Sequence, residues 1–301
     1  MYAGQTDSYD NCNEVIKTFI NVEVSSTQVY RVSDLYGEAL KQDVAKDDRV
    51  LSLVSNQEVL YAQADGSMVL TREQGWNEVK LGRIFKSSNC IHVPGKAGWI
   101  SNSQYIAHLG GHKEFCRRMD NLLDDFGPLK QQLVFITDGA AWLRNWISDS
   151  FPEAVSILDF YHATEHLHAF ANDFFKDMEA KNKWTTEQRE LLLCSEVLSV
   201  IENIKELSKD KNKAAAQLIA YYQSNIDRMD YKRYLQIGNG LIGSGAIESA
   251  HRTVIQKRMK QSGQRWSIQG AQNMLQLRAT RKSGQWGRII ALTKSNIKKV
   301  A

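Results

Sequence analysis

Residues 58–86, EVLYAQADGSMVLTREQGWNEVKLGRIFK, decide the fold class. Upstream of Glu58 apolar residues recur at helical spacing, and from Glu58 onward they alternate. VLYAQA (59–64) and SMVLTR (67–72) read as two strands of a hairpin turning at Asp65-Gly66, and EVKLGRIFK (78–86) as a third strand. In the third, Val79, Leu81 and Phe85 share one face, with Lys80 and Ile84 on the other.

Working downstream, HKEFCRRMDNLLDDFG (112–127) sets Phe115, Met119, Leu122, Leu123 and Phe126 at helical spacing and closes at Gly127-Pro128. LVFIT (133–137), bounded by Asp138-Gly139, reads as a buried strand. AAWLRNWISDSF (140–151) is a helix with Trp142 and Trp146 four apart, and AVSILDF (154–160) a short strand. This order predicts an α/β fold: a mixed sheet with an antiparallel hairpin on one side, parallel crossovers on the other, and flanking helices.

From about Tyr161 to Tyr234 the strand signals stop, and a segment rich in Glu, Lys, Leu and Ala predicts helices only, with WTTE (184–187) resembling a cap. Gly238, Gly240, Gly243 and Gly245 mark a turn before a last helix starting near Ser244, with Glu248 in its early turns. Upstream, a helix starts at Ser25 or Ser26, carries Val29, Val32 and Leu35 on one face, and is interrupted at Gly37. The two helices in IKTFINVEVSSTQVYRVSDLYG (16–37) read as a packing pair in preference to a DNA-touching helix-turn-helix. Four regions result: 1–57 helical, 58–162 the first part of the core, 163–238 helical, and 239–301 the last part of the core.

The chain has 301 residues, 43% of them hydrophobic, enough for a sizeable core. No apolar run approaches the roughly 20 residues that span a bilayer, and MYAGQTDSYDNCNE has no signal-peptide pattern, so a cytoplasmic protein without a membrane partner is expected. Cys12, Cys90, Cys116 and Cys194 lack the spacing of a thiolate zinc site or a disulfide framework. The net charge of +4 hides an asymmetry. Residues 251–301 hold twelve Lys and Arg and no Asp or Glu, leaving 26 basic against 34 acidic side chains in residues 1–250. An acidic body with a basic end suggests a polyanion partner. Trp266, Trp286, Met274, Leu275 and Leu277 lie among those cations, so the segment is expected to pack rather than trail as a solvated tail.

Asp65, Asp138 and Glu248 each end or follow an apolar run. Each alone has an ordinary explanation: a hairpin turn, a helix cap and a favourable charge on a helix dipole. Together they are a supply of oxygen ligands for Mg2+. Crowded carboxylates repel one another, so the set makes sense mainly with cations, and two ions could activate a nucleophile and stabilise a leaving oxygen. Asp159 and His162 follow the last predicted strand, beside the same sheet edge. His162 and His166 share a helical face and could ligate zinc or simply hydrogen-bond locally. HATEH (162–166) is not the HExxH of zinc proteases.

ADGSMV, GWNEVKLGRIF, ITDGAAWL, DFYHATEHL, GSGAIES and KRMKQSGQRW, in this order, resemble bacterial insertion-sequence transposases of the DDE class, nearest to the Kra-type family related to the Mutator and hAT transposases. The resemblance covers about Glu58 to Trp286 and implies an RNase H-like core interrupted by a helical insertion. It implies Asp65, Asp138 and Glu248 as the acidic triad, with Asp159 and His162 as an Asp-x-x-His signature. It further implies two Mg2+ ions, replaceable by Mn2+, that serve cleavage and strand transfer of DNA at element ends and target by a homo-oligomer. Arg252, Lys257, Arg258, Lys260 and Arg265 are then candidate phosphate contacts, whereas Trp266 reads better as a core residue than as a base-stacking one. Only about 57 residues precede the first core strand, fewer than such relatives carry, which leaves end recognition in question. The alternatives are a structure-selective nuclease on the same core and a catalytically silent DNA-binding protein.

Overall fold

The computed structural model describes residues 1–44, 58–95, 97–127, 133–208 and 212–300. The end of the first predicted region, 45–57, and the Pro128 stop signal lie outside these. Helices α1 (Asn11–Ile20) and α2 (Ser26–Val44) lead into strands β1 (Leu60–Thr71) and β2 (Gly75–Lys86). A small ribbon, β3 (Cys90–Ile91) with β4 (Trp99–Ile100), precedes β5 (Gln104–Leu109), α3 (His112–Asp124), β6 (Leu133–Thr137), α4 (Ala141–Ser150) and β7 (Val155–Leu158). Helices α5 (Phe160–Phe174), α6 (Met178–Leu193), α7 (Val197–Ser208), α8 (Lys213–Asn225) and α9 (Tyr231–Tyr234) follow. The last helices are α10 (Gly245–Ala250), which runs through a π-helical stretch (His251–Gln256) into α11 (Lys257–Met259), then α12 (Ile268–Lys282) and α13 (Trp286–Val300).

The expected mixed α/β architecture is present, with a five-stranded sheet in the order β5-β2-β1-β6-β7. β1 is antiparallel to β2, and β2 to β5; β1 is parallel to β6, and β6 to β7. Helices cover both faces. Leu60, Ala62, Ile84 and Phe135 pack against Phe115 and Met119 of α3 and Leu143 and Trp146 of α4. On the other face Tyr61, Phe85, Val134 and Ile136 join side chains of α5 to α9 in one core. Val69, Val79 and Leu81 pack under α10 to α12.

The hairpin turns later than the sequence predicts. Asp65 and Gly66 pair in register with Leu81 and Lys80 inside a continuous twelve-residue β1, and the chain turns at residues 72–74. Gly66 is exposed, and a Cβ there would meet only the movable tip of the Glu78 side chain, so the strand does not require glycine at this position. The third antiparallel strand is β5, whose run QYIAHL carries too weak an alternation to read from sequence. WTTE lies inside α6, whose N-cap is Asp177, accepting the Ala180 N–H at 2.7 Å.

Helix α2 begins where expected: Ser25 N–H donates to Gln28 Oε1 at 2.9 Å, and Gln28 N–H donates back to Ser25 Oγ at 3.2 Å. Its buried face differs from the expected one. Val29, Ser33 and Leu40 are buried, while Val32 and Leu35 are exposed. Gly37 does not break the helix. It lets α2 approach α12 so closely that a Cβ would lie 2.5 Å from Asn273 Cβ.

Candidate functional site

Strand register builds the site. Ala64 of β1 pairs with Thr137 of β6, and Thr137 pairs with Leu158 of β7. Asp65, Asp138 and Asp159 are therefore the next residues on three adjacent strands. β6 and β7 stop there while β1 runs on, leaving a crevice at their carboxyl ends, a favoured ligand position in α/β sheets. The cleft, of about 110 Å3, is lined by Ala64, Thr137, Ser244, His162 and five carboxylates: Asp65, Asp138, Asp159, Glu165 and Glu248.

Glu248 reaches this row because the loop before α10 is tied to the sheet. Gln63 Nε2 donates to the Gly243 carbonyl at 3.1 Å, and Arg83 Nη1 to the Ala246 carbonyl at 2.5 Å. Gly238, at φ +54°, sits on the Tyr61 hydroxyl, which donates to the Ile237 carbonyl at 2.9 Å. The structure thus brings Asp65, Asp138, Asp159, His162 and Glu248 together from four elements.

Each candidate ligand spends one oxygen locally. Asp65 Oδ1 accepts the Gly66 N–H at 2.6 Å, Asp138 Oδ1 the Ala140 N–H at 3.0 Å, and Glu248 Oε1 the Ser244 hydroxyl at 3.0 Å. Ser244 Oγ also contacts Asp159 Oδ2, but a hydroxyl has one proton and can donate to only one carboxylate at a time. Burial raises the Asp159 carboxyl above its usual range, opposed by its hydrogen bonds from Ser244 and the Tyr161 N–H. Burial also pushes Asp65 up to about 6, opposed by the Gly66 N–H and reinforced by the charges of Asp138 and Glu248. No Lys or Arg is among the residues lining the cleft. Hard oxygen donors repelling one another with no cation among them suit Mg2+. In this geometry no three or more His, Cys, Asp or Glu side chains among the described residues are set to hold a metal ion. That includes His162 and His166, whose rings meet edge to face at 4.9 Å, with His166 against Tyr221 at 4.3 Å.

Three supporting residues carry no sequence signal for their role. Arg228, 2% exposed, donates through Nη2 to Thr137 Oγ1 at 2.6 Å and to the Ile157 carbonyl at 3.3 Å, joining the ends of β6 and β7 beneath Asp138. His251, 4% exposed, has Nε2 3.3 Å from Asp65 Oδ2 without hydrogen-bond alignment. Burial, with the charge of Lys260, lowers its imidazole to about 4, so it is neutral beside Asp65. Ser244 reads in the sequence only as a helix start. Arg228 is ninety residues from Asp138 in a segment with no local signal.

The basic segment divides. Arg252, Lys257, Lys260 and Arg265 are exposed. Arg258 is fully buried, its guanidinium 4.7 Å from the Tyr9 and Trp266 ring centroids and donating to the Gly4 carbonyl at 2.6 Å. It is a core cation and cannot reach a phosphate. Trp266 is buried and donates to the Met259 carbonyl at 3.1 Å. Arg278 is spent inside too, on the Val254, Gln5 and Thr253 carbonyls.

The chain belongs to the family described as "Uncharacterised protein family (UPF0236)", whose model matches residues 2–295. It is 23% identical over 239 residues to the "UPF0236 protein in vanSb 3'region" of Streptococcus gallolyticus, a match covering 75% of this chain and 50% of that relative. The chain thus spans about half the length of the curated relative it matches. This membership overturns the assignment to Kra-type insertion-sequence transposases. Of the motifs behind that assignment, ITDGAAWL, DFYHATEHL and GSGAIES sit at strand ends and helix starts, where similar turn and cap chemistry recurs, while ADGSMV and GWNEVKLGRIF lie within β1 and β2. No helix among the described residues is long and apolar enough to cross a membrane.

Proposed function

We propose that this protein cleaves DNA strands and transfers the new ends, with divalent metal, Mg2+ or Mn2+, held by Asp65, Asp138 and Glu248 once these side chains turn from their present positions to converge on it. The observation that carries the reading is the row Asp65, Asp138, Asp159 across three strands, joined by Glu248 in a cleft lined by no Lys or Arg. Metal bound there would polarise a phosphodiester and make a water or 3′-hydroxyl a better nucleophile. Ser244 and Asp159 orient the Glu248 carboxylate. His162, with Nδ1 3.5 Å from Glu165 Oε2, lines the same cleft and could contact a substrate there.

We read the sheet as RNase H-like. Support comes from three leading antiparallel strands with the fourth and fifth running parallel to the first. Helices α5 to α9 are then an insertion between the second and third acidic residues. DNA as the partner is supported by the exposed Arg252, Lys257, Lys260 and Arg265, which follow Glu248. Two DNA ends joined in one reaction call for a homo-oligomer.

Labelled duplex DNA incubated with purified protein tests the reading. Strand cleavage is expected in Mg2+ or Mn2+ and not in chelator, and Asp138→Asn is expected to reduce the rate by at least about a hundredfold, the scale of losing a main electrostatic contributor. Metal-dependent cutting by Asp138→Asn at the wild-type rate would sink it.

A further inference from the structure

A second cleft, of about 510 Å3, opens where the β1–β2 turn meets the loop before α12. Its walls include Arg72, Arg265, Ser8 and Ser262, with Asp10 the one acidic side chain among the lining residues. The two guanidiniums are exposed and have no partner among the described residues. The frame beneath them is fixed by main-chain bonds. Trp266 N–H donates to the Leu70 carbonyl at 3.1 Å, and Arg72 N–H to the Trp266 carbonyl at 2.8 Å. Behind the cleft, Arg258 adds a third guanidinium, buried between Tyr9 and Trp266. Three positive charges around one concavity focus a positive potential on it.

The cleft also lies at a set distance from the acidic row. Asp65 and Thr71 are on the same strand, six residues apart, or about 20 Å at 3.3 Å per residue. The helical run from Glu248 to Lys260 covers the same span, about 18 Å at 1.5 Å per residue, and carries the exposed Arg252, Lys257 and Lys260 along it. Strand and helix pack on each other through Val69, Ile247, Val254 and Met259, so the separation is rigid.

We infer that the Arg72–Arg265 cleft is a phosphate-binding subsite that grips the backbone of duplex DNA about 20 Å from the acidic row. At 3.4 Å per base pair that is about six base pairs. The inference rests on DNA being the substrate. It adds a length requirement: a duplex must cover the gap to hold both sites, and backbone contacts there fix position without reading sequence.

Binding of blunt duplexes of graded length, from about 4 to about 16 base pairs, measured by fluorescence anisotropy at several salt concentrations, tests it. Wild type is expected to show a step in affinity once the duplex exceeds about six base pairs, with a steeper salt dependence above the step. Arg72→Ala with Arg265→Ala, both exposed positions, is expected to abolish the step and make the slope shallower by about 0.9 for each phosphate no longer neutralised. A double variant that keeps both step and slope, or a wild type without a step, overturns the subsite. Cleavage of the same duplexes in Mg2+ separates the two readings. Absence of cutting with the step intact sinks the strand-cleaving function and leaves the subsite standing.

Discussion

Asp65 and Asp138 stand side by side, each one residue beyond the paired Ala64 and Thr137 of neighbouring parallel strands. Burial pushes Asp65 up to about 6, and the neighbouring charges of Asp138 and Glu248 add to the shift. His251, with Nε2 3.3 Å from Asp65 Oδ2, is lowered to about 4 by burial and the charge of Lys260.

These two shifts give opposite pH dependences in metal-free protein. Asp65 favours the fold below its unfolded value of 3.8, and that contribution is lost as pH rises through about 6. His251 favours the fold above its unfolded 6.5, and that contribution is lost as pH falls towards about 4. Thermal melts between pH 4 and 7 in chelator are therefore expected to diverge. Relative to wild type, Tm of Asp65→Asn should climb more with pH, and Tm of His251→Gln should climb less or fall. Parallel curves for all three proteins would contradict the assignment.

Saturating Mg2+ at pH 7 is expected to raise the melting temperature of wild type through linkage, because binding to the folded state alone stabilises it. Asp65→Asn and Asp138→Asn should each lose most of that increment while melting at or above the wild-type temperature in chelator. Equal Mg2+ increments in all three would place the metal elsewhere.

Arg228 holds the ends of β6 and β7 at the Thr137 hydroxyl and the Ile157 carbonyl. Arg228→Met would strand buried acceptors, and a destabilisation of about 3 kcal/mol by urea unfolding is expected. Arg228→Lys, lacking the planar fork, should recover only part of it. A loss below about 0.5 kcal/mol, the scale of an ordinary surface change, would show that these bonds contribute little.

Gly37 lies where α2 meets Asn273 of α12. Gly37→Ala would normally favour a helix, but here the Cβ has no room, so a net loss of about 2 kcal/mol is expected. Stabilisation in the same unfolding assay would mean that the two helices can separate freely.

Arg252 and Arg258 should differ in kind. Arg252→Ala is expected to weaken DNA binding and flatten its salt dependence by about 0.9 with little change in stability. Arg258→Ala removes a buried cation stacked between Tyr9 and Trp266 and should destabilise the fold by about 2 kcal/mol or more. The reverse pattern would mean that Arg258 reaches the surface.

Much of the framework is legible in the sequence because its signals are local. LVFIT and AVSILDF mark β6 and β7, HKEFCRRMDNLLD marks α3, and Ser244 marks the start of the helix bearing Glu248. Asp65-Gly66 misleads because its local signal is that of a turn, and only pairing with β2 places it inside a strand. β5 is hidden because its burial comes from β2 and α12, not from its own pattern.

The sequence by itself determined the alternation of strands and helices, the positions of the carboxylates and the concentration of positive charge after Glu248, since periodicity and composition are properties of neighbouring residues. Tertiary structure alone decided which charges meet. It set Asp65, Asp138 and Asp159 in one row through strand register, placed Arg228 beneath that row, and buried Arg258 while leaving Arg72 and Arg265 exposed. Burial and pairing arise from contacts between residues far apart in the chain, and a residue's chemistry follows from that surrounding as much as from its own side chain.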